Sequence, residues 1–181
     1  MSIFEPLPDG PFDIIYADPP WSYQGATYLR KQRTHKVSNH YETLSPEQLS
    51  ELPVQDIAAD DSLLFLWMTG ANLDKCMEVG LSWGFKWATM AFVWNKVKPV
   101  VGHYTMSQCE FVGVFKKGRI PKPRNARNIR QYLEQPRGEH SSKPYIIQRR
   151  IMAMFLDQSK IELFARKPYP GWTAWGNEVQ E

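Results

Sequence analysis

Five short runs along the chain are almost continuously apolar: FDIIYA (12–17), SLLFLWM (62–68), WATMAFVW (87–94), EFVGVFK (110–116) and KIELFAR (160–166). Their shortness and their β-branched and aromatic content predict strands. Unbroken hydrophobicity, in place of in-out alternation, predicts a sheet covered on both faces. Between the runs the period changes. Ser45-Pro46-Glu47-Gln48 offers an N-cap, a proline at the first helical position and a glutamine able to close a capping box. After Asn72, residues Leu73, Cys76, Met77 and Gly80 share one helical face. From Ser142, Ile147, Ile151, Met154 and Phe155 share another, ending near Asp157. Strands alternating with helices predict a doubly wound α/β fold, in which ligands sit beyond the carboxyl ends of the strands.

Two stretches, 22–40 and 117–140, show neither period and read as long loops of the kind that usually carry function. The 181 residues suit one domain, 1–181, with a sizeable core. The strongly apolar run LLFLWM is too short to cross a bilayer, and MSIFEPLPDG lacks the order of a secretion signal, so a cytoplasmic protein is expected. Cys76 and Cys109 come without CxxC or His-rich spacing. They are expected as buried, reduced thiols, with no metal site. Charge changes the picture more. The formal total is +3, yet residues 116–150 hold eleven Lys and Arg against Glu134 and Glu139. A second basic cluster, Arg30, Lys31, Arg33, His35 and Lys36, lies in the first loop. Such asymmetry predicts a surface for a polyanion, with Arg30, Lys31, Arg33, Lys122, Arg124, Arg127 and Arg130 as the phosphate-holding residues.

The candidate chemistry follows the first run, in YADPPWSY (16–23). Strands usually end in flexible turns; here an acid is followed by two prolines, the stiffest backbone available. Proline brings no N–H, so the carbonyls of Asp18 and Pro19 are expected to lack a local donor, and the corner collects acceptors. Trp21 adds a flat face for stacking. Acceptors beside a stacking plane suit an exocyclic amine on a flat heterocycle. The lone pair of such an amine is delocalised into the ring, which makes it a poor nucleophile. Hydrogen bonds from its protons to Asp18 and the Pro19 carbonyl localise that lone pair and offset the positive charge that grows as a new bond forms.

These residues resemble the MT-A70-like adenine-N6 methyltransferases. The resemblance runs in order through FDIIYADPPW, HYETLSPEQL, SLLFLWMTG, FVWNK, EFVGVFKKG, RGEHSSKP, KIELFARKPYPGW and WGNE. It implies a Rossmann-like class I methyltransferase fold, mainly parallel, with permuted motif order. It also implies S-adenosylmethionine as donor, although no Gly-x-Gly-x-x-Gly occurs. By resemblance, Asp18, Pro19, Pro20 and Trp21 hold the target amine, and Tyr41 and Trp94 lie near the adenine. Lys143 faces the donor's carboxylate, a task suited to a compact point charge. Asp18, Glu162, Arg166, Asn177 and Glu178 complete the donor site. Where relatives of the RNA type carry His-Asn, this chain has Pro168-Tyr169. The activity implied is methyl transfer to the N6 amine of adenine, in DNA by preference, on a base flipped out or single-stranded. No metal is needed, and a homo- or heterodimer is a plausible assembly. Other readings stay open: an RNA methyltransferase, a non-catalytic nucleic-acid-binding subunit, and methylation of a protein glutamine, although enzymes of that last kind carry Asn-Pro-Pro-Tyr.

Overall fold

The computed structural model describes residues 6–22, 43–102, 104–138 and 142–177. Arg30, Lys31, Arg33, Tyr41 and Glu178, with most of the first loop, lie outside these residues. Among the described residues, strands β1 (Phe12–Ala17), β2 (Ala58–Met68), β3 (Lys86–Val101), β4 (Met106–Lys117), β5 (Tyr132–Glu134), β6 (Lys160–Leu163) and β7 (Thr173–Trp175) form one sheet. Its order is β5-β3-β4-β2-β1-β6-β7. Every neighbouring pair is parallel except the two made by β4. The described residues also include three α-helices, α1 (Pro46–Ser50), α2 (Leu73–Ser82) and α3 (Ile146–Met154).

Both faces of the sheet are buried at its centre, in β1 and in residues 62–68 of β2, which is why these runs are almost continuously apolar. In β1, Ile15 and Ala17 pack with Leu49 of α1 and Cys76 and Val79 of α2, whereas Ile14 and Tyr16 pack with Ile147 and Ile151 of α3. β2 divides the same way, with Leu64, Leu66 and Met68 on the first face and Leu63, Phe65 and Trp67 on the second. The capping box at α1 forms as its sequence predicts: Gln48 N donates to Ser45 Oγ and Ser45 N to Gln48 Oε1. Gly80 lets α2 approach the sheet, since a Cβ there would lie 2.5 Å from the ring of Phe115.

Some departures from expectation come from pairing, which extends strands where composition is silent, and others from local backbone geometry. β3 and β4 run far past the apolar segments 87–94 and 110–116 as a hairpin, with Val101 opposite Met106. Pro99, which argues against a strand, falls in the irregular stretch between Asn95 and Val100. Residues 117–140 are not one open loop. The amides of Asn125 and Ala126 donate to Met154 O and Ala153 O at the end of α3, and Tyr132–Glu134 add an edge strand to β3. α3 starts at Ile146 because Pro144 interrupts the run from Ser142; the amide of Ile147 then donates to the Pro144 carbonyl. β6 ends at Leu163, since Phe164 takes φ = 61°. The chain turns there, and the Ala165 amide donates to Trp175 O. Gly176 is required at this crossing, because a Cβ would collide with the Ala165 backbone. Of the two thiols, Cys76 is buried and Cys109 is half-buried; neither is in a disulfide.

Candidate active site

β1 lies between β2 and β6, its parallel neighbours, and the chain that leaves it returns on both sides. Its carboxyl end is therefore the topological switch point, where open α/β sheets place ligands. Asp18 stands there. The corner after it is pinned: the Leu44 amide donates to Pro20 O (2.8 Å) and the Ser22 amide to Leu44 O (2.9 Å). The Trp21 amide turns back on Pro19 O at 2.9 Å. This corrects one expectation, because the Pro19 carbonyl already accepts one local hydrogen bond and offers its second lone pair only.

The two tryptophans expected beside a substrate ring are core residues. Trp21 is 8% exposed and belongs to the cluster under α1 and α2, turned in by the bonds to Leu44. Its Nε1 has no hydrogen-bond partner among the described residues. Trp94 is 2% exposed, because strand alternation directs it with Phe92 toward α3. Its Nε1 donates to Gln135 O, and its ring meets Trp67 edge-on at 5.9 Å. Trp94 thus supports Trp67, which sequence reasoning did not single out. Trp67 in turn donates from Nε1 to Tyr16 Oη (2.6 Å) and lies 5.1 Å beneath the Lys143 ammonium. Burial, with Glu162 nearby, pushes the Tyr16 phenol well above its ordinary range.

Lys143 does not stand alone before a donor site. Its Nζ lies 3.0 Å from Asp18 Oδ1 and 3.3 Å from Glu110 Oε2. Burial disfavours its charge, but the two carboxylates outweigh burial and raise its pKa. Glu110 also meets Lys96 Nζ through Oε1, at 3.1 Å. Burial works against its charge too, yet Lys143 and Lys96 hold it below the usual carboxylate range. Glu110 and Lys96 were missed by sequence reasoning. The available signal was Lys96 itself, a lysine that continues the inward period of Phe92 and Trp94.

Asp18 and Lys143 open on a shallow cleft that also includes Tyr145, Glu162, Arg166 and Lys167. Glu162, on β6, accepts from Gln148 Nε2 of α3 at 2.6 Å. Its carboxyl is pushed up to about 7 by burial first and by Asp18 second, with the Gln148 bond opposing. Tyr145 stacks on Tyr169 with ring centroids 5.7 Å apart. Asn177 follows β7 and so lies at the same carboxyl edge of the sheet. The basic stretch is divided. Lys122 and Arg124 lie near the start of β6, at the opposite end of the sheet from Asp18: Pro123 O accepts from Gln158, and Asn125 Oδ1 accepts from the Leu156 amide. Arg127 and Arg130 lie on the return toward β5, where Arg150 donates to the carbonyls of Arg130 and Tyr132. Among the described residues, no cluster of His, Cys, Asp or Glu could hold a metal, and no helix is long and apolar enough to cross a membrane.

Comparison with known proteins places the chain: the MT-A70 family model matches residues 12–178. The chain belongs to the MT-A70 family. It is 45% identical over 99% of its length to type II methyltransferase M.MunI of Mycoplasma sp, and covers 82% of that protein. It is 29% identical to the N(6)-adenine-specific methyltransferase METTL4 of Mus musculus over 93% of its length, covering 37% of that longer protein. It is 30% identical over 93% of its length to the N6-methyladenosine RNA methyltransferase MTA1 of Cryphonectria parasitica, covering 52%. The match includes the Asp18 corner, Glu110, Lys143 and Glu162 within one MT-A70 domain.

Proposed function

We propose that this MT-A70 protein transfers a methyl group from S-adenosylmethionine to the exocyclic N6 amine of adenine, and that its substrate is DNA. The observation that carries the reading is the rigid Asp18 corner standing at the head of an open cleft. The cleft's chemistry fits such a donor. Glu162, bonded to Gln148, suits vicinal ribose hydroxyls, and the cations Lys143, Arg166 and Lys167 suit an α-carboxylate. When bound, the donor supplies an electrophilic methyl group on a sulfonium.

The protein's part is to position and polarise. Lys143 holds Asp18 Oδ1, which leaves Oδ2 to accept a proton of the amine. The Pro19 carbonyl, with one lone pair engaged by Trp21, offers its other to the second proton. Both contacts strengthen as positive charge builds on nitrogen, so they favour the transition state over the ground state. Holding amine and methyl in line removes much of the entropic barrier. Tyr41, Asn177 and Glu178 are assigned to adenine and donor by resemblance. A duplex adenine must be flipped out to reach Asp18, at a cost of a few kcal/mol. DNA is preferred over RNA because identity to the type II enzyme, at 45%, exceeds the 30% to the relative named for RNA.

Purified protein incubated with labelled donor and, separately, duplex DNA, single-stranded DNA, RNA and protein provides the test. N6-methyladenine in digested DNA is the expected product. Label confined to RNA or protein, or absent from all four, refutes the reading. Asp18→Ala should abolish transfer while leaving donor affinity within a few-fold, since the carboxylate acts mainly in the transition state.

A further inference from the structure

Lys96 stands where the alternation of β3 calls for an apolar side chain. Phe92 and Trp94 point into the core beside α3, and Lys96 follows them inward at 6% exposure. A buried ammonium is costly unless a counter-charge meets it. That counter-charge is Glu110, which is paired across the ladder with Trp94. Glu110 divides its oxygens, Oε1 to Lys96 at 3.1 Å and Oε2 to Lys143 at 3.3 Å, and Lys143 passes on to Asp18 at 3.0 Å. The result is a line of four charges of alternating sign. One end lies in the core and the other is the reacting corner.

Without Lys96, Glu110 would face Lys143 as a full negative charge and compete with Asp18 for the one ammonium between them. With Lys96 on Oε1, that competition is weakened. We propose that Lys96 is a positioning residue for the transfer step: it neutralises Glu110 so that Lys143 stays on Asp18 Oδ1 and Oδ2 remains aimed at the amine. The inference rests on the methyl-transfer reading and deepens it by assigning a residue that touches neither substrate. A merely structural ion pair is the competing account, and the two differ in what they predict. A buried pair replaced by uncharged side chains of similar size often leaves stability intact, whereas a positioning charge leaves its mark on titration. Among the described residues, the groups that face Asp18 are Lys143 before α3, Glu162 of β6, Tyr16 of β1 and Cys76 of α2, with Arg166 and Lys167 in the same cleft. Lys96 reaches Asp18 only through Glu110 and Lys143.

The test compares the wild type with Lys96→Met, Lys96→Arg, and Lys96→Met combined with Glu110→Gln. Each is assayed for kcat against pH, donor dissociation constant by calorimetry, and the ¹⁵N ammonium resonance of Lys143. In Lys96→Met, kcat should fall about tenfold or more while the donor constant stays within about threefold. The acid limb of kcat should move up by about half a pH unit or more, because an uncompensated Glu110 favours protons on its neighbours. Lys96→Arg should return both to wild type. The double variant restores the charge balance of the line and should bring the limb back, and it carries the test if Lys96→Met fails to fold. An unmoved limb in Lys96→Met, or a limb still displaced in the double variant, overturns the proposal and leaves Lys96 a structural pair. The Lys143 resonance separates this failure from failure of the functional reading. Should the wild type transfer nothing, a resonance that shifts in Lys96→Met and reverts in the double variant still supports positioning, and one that stays put refutes it.

Discussion

At the scale of single residues, the site trades stability for function at Glu162. Its carboxyl, raised from 4.5 to about 7 by burial and by Asp18, is easier to protonate in the folded chain than in the unfolded one. The linkage sign follows: the folded state is favoured with Glu162 protonated, so its contribution is most favourable below about pH 4.5. It worsens as pH rises toward 7 and is constant above that. Glu162→Gln removes this penalty, on the order of 3 kcal/mol at pH 8, and removes nothing at pH 4. Thermal melts at the two pH values should therefore show a gain at the higher one alone. The same substitution should weaken donor binding, since an ionised acceptor for hydroxyls is removed. Wild-type affinity for the donor should itself decline as pH falls below 7 and that slope should flatten in Glu162→Gln, a pattern that calorimetry at pH 6 and 8 reads directly. A variant less stable at pH 8 would show that the Gln148 bond outweighs the buried charge.

At the scale of elements, α2 meets the sheet through the gap that Gly80 leaves over Phe115. Gly80→Ala sets two effects against each other. Alanine stabilises a helix interior by about 1 kcal/mol relative to glycine. Its methyl, however, would sit 2.5 Å from a ring that is itself 0% exposed, and overpacking of this kind costs about 1–3 kcal/mol. The clash wins, so the melting temperature should fall despite the better helix former; a rise would mean that Phe115 has room to move. The hairpin of β3 and β4 shows the same logic on the functional side. Its ladder places Glu110 and Lys96 next to each other, and α3 delivers Gln148 to Glu162, so each of these two contacts joins two consecutive elements.

At the scale of the whole molecule, the described basic residues are divided between the two ends of the sheet. Lys122 and Arg124 lie away from the Asp18 corner, which makes their part in DNA binding testable. The logarithm of the binding constant should fall with the logarithm of salt at about −0.9 per phosphate neutralised on duplex DNA. Lys122→Gln with Arg124→Gln should leave that slope unchanged, whereas neutralising Arg30, Lys31 and Arg33 together should make it shallower by about one for each phosphate no longer held. A slope altered by the first pair would mean that DNA wraps to the far edge of the sheet.

The amino-acid order by itself determines the strand cores, the α1 cap, the two-faced sheet and the Asp18 corner. These depend on local patterning, turn stiffness and residue type, and a linear reading captures them because their causes lie within a few neighbouring residues. Other features depend on partners far away along the chain. Whether Trp21 and Trp94 offer a face or fill a core was settled by Leu44 and Trp67. That Lys143 meets both Asp18 and Glu110, and that Lys122 and Arg124 lie away from that corner, follows from where β4, α3 and β6 run. Burial and charge pairing are properties of three-dimensional neighbourhoods, and no periodicity reports which carboxylate a lysine will meet.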